Sequence, residues 1–188
     1  MLPVGRISID QYHEMVRNGI LTTDDRVELL DGQLVAKPRR TPKSRFMSRL
    51  TDDALTACAP EGWFVWRHPS ITLADSEPEP DLAIVRGPVT DYVHRHPGAS
   101  EVALVVEASD LAINFARTLK KQIFAAAGIP IYWILNVVDE QLEVFENPSG
   151  NAETAEYRAS RILKRGERAT VQIGDAIVGP IPIEAMLP

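Results

Sequence analysis

Apolar residues follow two rhythms along this chain. The run Val102-Ala103-Leu104-Val105-Val106 is unbroken, which predicts a strand covered on both faces, and it stops at a carboxylate, Glu107. Pro80-Asp81-Leu82-Ala83-Ile84-Val85 predicts a second such strand, with the acid at its head. Shorter apolar runs predict strands over residues 26–30, 33–35, 63–67, 71–73, 131–135 and 141–145. Asp31-Gly32 between the first two marks a tight hairpin. The helical rhythm appears over residues 9–18, where Ser8 is a candidate N-cap, Gln11 completes a capping box and Gly19 suits the C′ position. A second helix follows the basic segment 37–43 and ends near Cys58. A third spans residues 111–127 and is stopped by Gly128-Ile129-Pro130. Residues 75–80 and 87–100 read as loops, and short strands with a terminal turn follow a polar stretch at 147–156. This order of elements predicts an α+β fold, a mixed and mostly antiparallel central sheet flanked by helices, within one domain over residues 1–188.

Composition narrows the function classes. The 20 Lys and Arg against 26 Asp and Glu leave a net charge of −6, which excludes a broad cationic surface for coating nucleic acid. Any such binding needs a local patch, and Lys37-Pro38-Arg39-Arg40 through Lys43 and Arg45 is the candidate. Cys58 is the only cysteine, so neither an intrachain disulfide nor a cysteine zinc cage is available. The segment Met1 to Arg6 lacks the apolar stretch of a signal peptide, and no apolar run reaches the roughly 18 residues of a membrane span. A cytoplasmic protein with no membrane contact is the expectation.

Three charged residues stand out against the apolar pattern. Glu107 and Asp81 close and open buried strands, and Lys120 falls inside the apolar stripe Ala116, Leu119, Ile123, Phe124, Ala127, whereas Lys121 points away. Lys120 either snorkels to water from the stripe's edge or directs its ammonium at the acids of the preceding strand. Two carboxylates with a lysine nearby can hold a hard divalent cation and hydrolyse a phosphodiester. Glu28, between Val27 and Leu29, is either a solvated position on an edge strand or a further acid of such a site. His13, His68, His94 and His96 lack metal-ligand spacing and read as surface residues, while Trp63, Trp66 and Trp133 read as core. The signatures of dinucleotide, nucleotide and serine-hydrolase sites are missing.

Four blocks in order resemble the Uma2-like (DUF820) restriction-endonuclease family of the PD-(D/E)XK nuclease superfamily. They are Gly19-Ile20-Leu21-Thr22 through Arg26-Val27-Glu28-Leu29-Leu30-Asp31-Gly32, then Glu79-Pro80-Asp81-Leu82-Ala83-Ile84-Val85. Leu104-Val105-Val106-Glu107-Ala108-Ser109-Asp110 follows, and then Lys120 to Trp133. The resemblance runs from about Ile7 to Leu187. It implies a restriction-endonuclease-like fold and a Mg2+-dependent endodeoxyribonuclease, with Mn2+ as a substitute ion, DNA as substrate and a homodimer as the working unit. It implies Asp81 and Glu107 as metal ligands, the Ala108 carbonyl as a third, Lys120 as the catalytic lysine and Glu28 as the amino-terminal acid. The superfamily's usual lysine position, two residues after the second acid, is Ser109 here, and the lysine of this branch maps to Lys120. Two positions depart from the pattern: Ala116, where an aspartate is common, and Ser44-Arg45, where a histidine is common. The alternative function is a non-catalytic binding protein that retains the nuclease fold, and a third is a metal hydrolase of small phosphodiesters.

Overall fold

Ser8 opens the first helix as its spacing predicts. In the computed structural model, which describes residues 5–110, 112–150 and 154–188, α1 spans Ile9–Arg17. The Ser8 hydroxyl accepts the Gln11 N–H, and the Gln11 side chain accepts the Ser8 N–H in return. The amino-terminal reading at residues 1–4, the expected helix start at Leu111 and part of the polar stretch, 151–153, lie outside the described residues. No described helix is long and apolar enough to cross a membrane.

β1 (Val27–Leu30) and β2 (Gln33–Ala36) pair antiparallel around Asp31-Gly32. Both turn residues have positive φ, 50° and 71°, the backbone twist of a type I′ hairpin. A Cβ on Gly32 would stand 2.8 Å from the Arg6 Cβ, so the position needs glycine for space as well as for φ. Gly32→Ala is expected to lower stability by about 1–2 kcal/mol. An unchanged urea midpoint would contradict this reading of the turn.

α2 (Pro42–Thr56) starts with Pro42 in its first turn and with the Thr41 hydroxyl accepting the Ser44 N–H. The central sheet then assembles from β3 (Trp63–Arg67), β4 (Leu82–Arg86), β5 (Val102–Ser109), β6 (Ile131–Asn136), β7 (Gln141–Ser149) and β8 (Glu156–Leu163), in that spatial order. Only β5 and β6 run parallel; every other neighbour is antiparallel. The crossover between β5 and β6 is helical. α3 (Ile113–Phe115) passes through a π-helical turn at Ala116–Lys120 into α4 (Lys121–Ala126). Within that turn the Lys121 N–H bonds the Ala116 carbonyl five residues back.

β5 lies between two apolar layers, which is why its sequence shows no alternation. On one face Leu104, Val106 and Trp133 pack with Met47 and Leu55 of α2 and with β9 (Arg168–Ile173) and β10 (Ala176–Pro182). On the other, Val105, Tyr132 and Ile134 pack against Ala116, Phe124 and Ala125 of the crossover. The predicted mixed, mostly antiparallel sheet with flanking helices is therefore the observed one.

Four local expectations are corrected. Residues 71–73 form no strand: Ile71, Thr72 and Leu73 donate to the carbonyls of Pro78, Pro97 and Ser76, three separate loop positions, with a lone bridge from Thr72 to Gly98. The prolines around this segment remove the donors that a continuous ladder would need. β5 does not end at Glu107, because Ala108 and Ser109 still pair with Leu135 and Asn136. β7 runs on into the polar stretch as far as Ser149. Trp63 and Trp66 are only half-buried, since β3 is the sheet's edge, while Trp133 is fully buried.

Candidate active site

Sheet register brings the two acids together. β4 pairs with β5 through Leu82 and Val106, so one step further Asp81 stands across from Glu107. Asp81 precedes the first residue of β4, which leaves the adjoining edge of β5 without a strand partner at Ala108. The Ala108 N–H fills that gap by donating to Asp81 Oδ2 at 2.7 Å. In an extended strand the N–H and C=O of one residue project from the same edge, so the Ala108 carbonyl faces this gap too. The next carbonyl, of Ser109, points the other way and accepts the Val137 N–H at 3.0 Å.

Lys120 enters from the crossover helix. Its side chain is only 6% exposed, and Nζ lies 2.6 Å from Glu107 Oε1 and 3.0 Å from Glu28 Oε1. Of the two positions left open by the sequence, the ammonium takes the inward one. Glu28 is not solvated: it is fully buried on β1, and its Oε2 accepts the Glu79 N–H at 2.9 Å. One carboxylate thus ties the hairpin to the loop that delivers Asp81 and also braces the lysine. Ala116, which replaces the expected aspartate, is buried beside them, and Lys120 is held by Glu28 and Glu107 instead. Ser44 turns its hydroxyl back onto the Thr41 carbonyl, while Arg45 lines the cleft.

Burial dominates the electrostatics. It raises the Glu107 carboxyl to about 7, against the opposing pull of Lys120, with Asp81 and Glu28 adding to the rise. It also raises Asp81, opposed by Arg40, the Ala108 N–H and Lys120. Burial alone would lower Lys120, but Glu107 and Glu28 beside it hold it above the usual lysine range. Because the folded pKa of Glu107 lies above its unfolded value of 4.5, its contribution is fully favourable below that value and is lost as pH rises toward about 7. The stability of Glu107→Gln relative to wild type should therefore increase between pH 4.5 and 7.5, by roughly 1–3 kcal/mol. Parallel thermal melts check this, and a flat difference would contradict it.

Two residues, Arg40 from the candidate basic patch and His68, read from the sequence as a surface residue, hold places at the site that the sequence does not assign to them. β3 pairs Arg67 with Leu82, and the His68 N–H bonds the Asp81 carbonyl at 2.9 Å, so His68, Asp81 and Glu107 form a row across the sheet, just past the end of β3, just before β4 and within β5. Burial and the neighbouring Arg40 lower the His68 imidazole. Arg40 reaches from the loop after β2 to place Nη2 2.8 Å from Asp81 Oδ1. Only the register and the loop path reveal either one. The other histidines stay away from the site; His13 pairs with Glu77 at 2.7 Å, and His94 and His96 are exposed.

These groups line a cleft of about 600 Å³ whose floor is acidic and whose rim carries Arg26, Lys37, Arg39, Arg40 and Arg45. Of the candidate basic patch, Lys37, Arg39, Arg40 and Arg45 line this cleft, whereas Lys43 turns to Glu140 at 2.8 Å. Among the described residues no three His, Cys, Asp or Glu side chains stand in metal-holding geometry, because the acids are turned onto Lys120 and Arg40. The donor set nonetheless suits a hard divalent cation, which takes carboxylate and carbonyl oxygens. Buried Asp81 Oδ1 and Glu28 Oε1 touch a cation without receiving an aligned hydrogen bond.

A model of the Uma2 family, described as "Putative restriction endonuclease", matches residues 9–174. No curated protein matches the chain. Among solved structures, a putative nuclease belonging to DUF820 from Anabaena variabilis ATCC 29413 matches with a TM-score of 0.65 and 11% identity, over 96% of this chain and 97% of that one. At that identity the likeness is one of fold.

Proposed function

The chain belongs to the Uma2 family, and from that starting point we propose that it is a metal-dependent endonuclease that hydrolyses DNA phosphodiester bonds. One observation carries the reading: Asp81 and Glu107 face each other across β4 and β5, with Lys120 Nζ 2.6 Å from Glu107, at the floor of a basic-rimmed cleft. Mg2+, with Mn2+ as its substitute, would be held by Asp81, Glu107 and the Ala108 carbonyl and would supply Lewis acidity to the phosphoryl group and to the attacking water. Lys120 places a fixed positive charge where the phosphoryl oxygens gain negative charge as the water oxygen bonds phosphorus and the ester oxygen leaves. Glu28 acts through Lys120 and the Glu79 backbone, holding the ammonium and the Asp81 loop in position. The rim arginines and Lys37 draw in the phosphate backbone, an attraction that salt weakens. A two-fold homodimer would present two such clefts to the two strands of a duplex, and the cytoplasm is the proposed compartment.

One observation favours a second reading. Each acid of the site already has a protein cation, Arg40 on Asp81 and Lys120 on Glu107 and Glu28, as in a binding protein that needs no metal. Supercoiled plasmid incubated with the protein in Mg2+, in Mn2+ and in EDTA separates the two. Nicked or linear product that disappears with EDTA is expected. Retention of plasmid without cleavage in every ion would establish the binding protein, and cleavage of a chromogenic phosphodiester alone would establish a small-substrate hydrolase.

A further inference from the structure

The two cations of the site are held in very different ways. Lys120 is buried behind Glu107 and Glu28, on a helix packed against the sheet. Arg40 comes from outside, on the loop between β2 and α2, and its side chain is 29% exposed. Its Nη2 lies 2.8 Å from Asp81 Oδ1, and its Nη1 lies 2.7 and 2.9 Å from the two ring nitrogens of His68. With Asp81 Oδ2 taken by the Ala108 N–H, the guanidinium covers the oxygen that remains on the cleft side.

Charge balance gives this contact a direction. Three carboxylates, Glu28, Asp81 and Glu107, face two protein cations, so the ionised site carries one negative charge in excess. A divalent cation exchanged for Arg40 makes the group neutral, whereas one added beside Arg40 leaves a net positive charge and crowds two cations onto one carboxylate. Exchange is the favoured course. The displaced guanidinium stays tethered at the cleft mouth among Arg39 and Arg45, and its planar fork matches a phosphate.

We propose that Arg40 is an exchangeable cation: it neutralises Asp81 until a divalent metal displaces it, and the freed guanidinium then binds a phosphate of the nucleic-acid substrate. This rests on the metal-dependent reading above. Arg40 is thus a positioning residue whose substrate contact depends on the metal. Arginine binding to Asp81 lowers the apparent metal affinity, and the metal in turn raises the affinity for nucleic acid.

Calorimetric titration of MnCl2 into wild type, Arg40→Met and Arg40→Lys tests the exchange, with circular dichroism confirming that each is folded. Arg40→Met is expected to bind Mn2+ at least about tenfold more tightly than wild type, and Arg40→Lys to fall between them. Anisotropy of a labelled phosphorothioate duplex, which resists hydrolysis, tests the second half. Mn2+ should tighten duplex binding to wild type several-fold more than to Arg40→Met. Equal Mn2+ affinity in wild type and Arg40→Met would overturn the exchange while leaving the metal site standing. An equal Mn2+ effect on duplex affinity in both would overturn the phosphate contact. No Mn2+ binding by any of the three would overturn the metal-dependent reading and this inference with it.

Discussion

Asp81→Asn and Glu107→Gln are each expected to reduce DNA cleavage at least about a thousandfold while leaving the fold intact, the scale on which a metal-assisted hydrolysis depends on its ion. Both changes keep side-chain size and one carbonyl oxygen. The amide of the first variant can still accept the Ala108 N–H, and the amide of the second can still accept from Lys120. Each removes the negative charge that a divalent cation needs, so the Mn2+ heat should disappear along with the activity. Far-ultraviolet circular dichroism and melting temperature separate loss of chemistry from loss of structure. Cleavage by both variants at the wild-type rate would remove these two acids from the mechanism.

Lys120→Met is expected to cause a large loss of stability. Methionine fills the volume of the lysine stem but cannot neutralise Glu28, which is fully buried, or Glu107, whose side chain is only 13% exposed. Breaking a buried pair in this way costs about 3–5 kcal/mol, or about 6–20 °C in melting temperature for a chain of this size. The loss depends on pH. Glu107 already titrates at about 7 with the lysine present, and without the lysine its folded-state pKa moves higher still. Protonation relieves the repulsion below that pKa, so the deficit should be large at about pH 8.5 and much smaller at about pH 5.5. Melts of wild type and variant at both pH values decide it. A deficit below about 1 kcal/mol and equal at the two pH values would mean that the ammonium does not neutralise these carboxylates.

Where one physical demand governs a position, the sequence is readable. Val102 to Val106 must all be apolar because β5 is covered on both faces, and the Asp31-Gly32 turn must have positive φ at both residues. Lys120 and Lys121 differ by one step around the helix, and that step decides which one meets Glu107. Glu28 is ambiguous in the sequence because alternation assigns a strand residue to a face without saying what covers that face; here the covering elements are the Glu79 loop and the crossover helix. Arg40, legible only as part of the basic patch, and His68, legible only as a surface residue, are not tied to Asp81 in the sequence for a related reason. They lie in loops without periodicity and reach Asp81 only through the β3–β4 register and the path of the chain after β2. The wide turn at Ala116–Lys120 is equally hidden, since a wheel of 3.6 residues per turn presumes its absence.

That wide turn is the trace a single added residue leaves in an α-helix. At its first residue the Ala116 carbonyl accepts the Tyr132 hydroxyl at 3.2 Å; at its last, Lys120 meets Glu107, and beyond it the Phe124 ring lies 5.1 Å from the Tyr132 ring. Deleting one residue between Ala116 and Lys120 would restore regular winding and turn the two halves against each other by about 100°. Either the first half would leave its seat on the sheet, or the second would carry its ammonium off the acids. The helix is therefore two segments with independent phase, and a shorter, better-wound helix would be a less competent one.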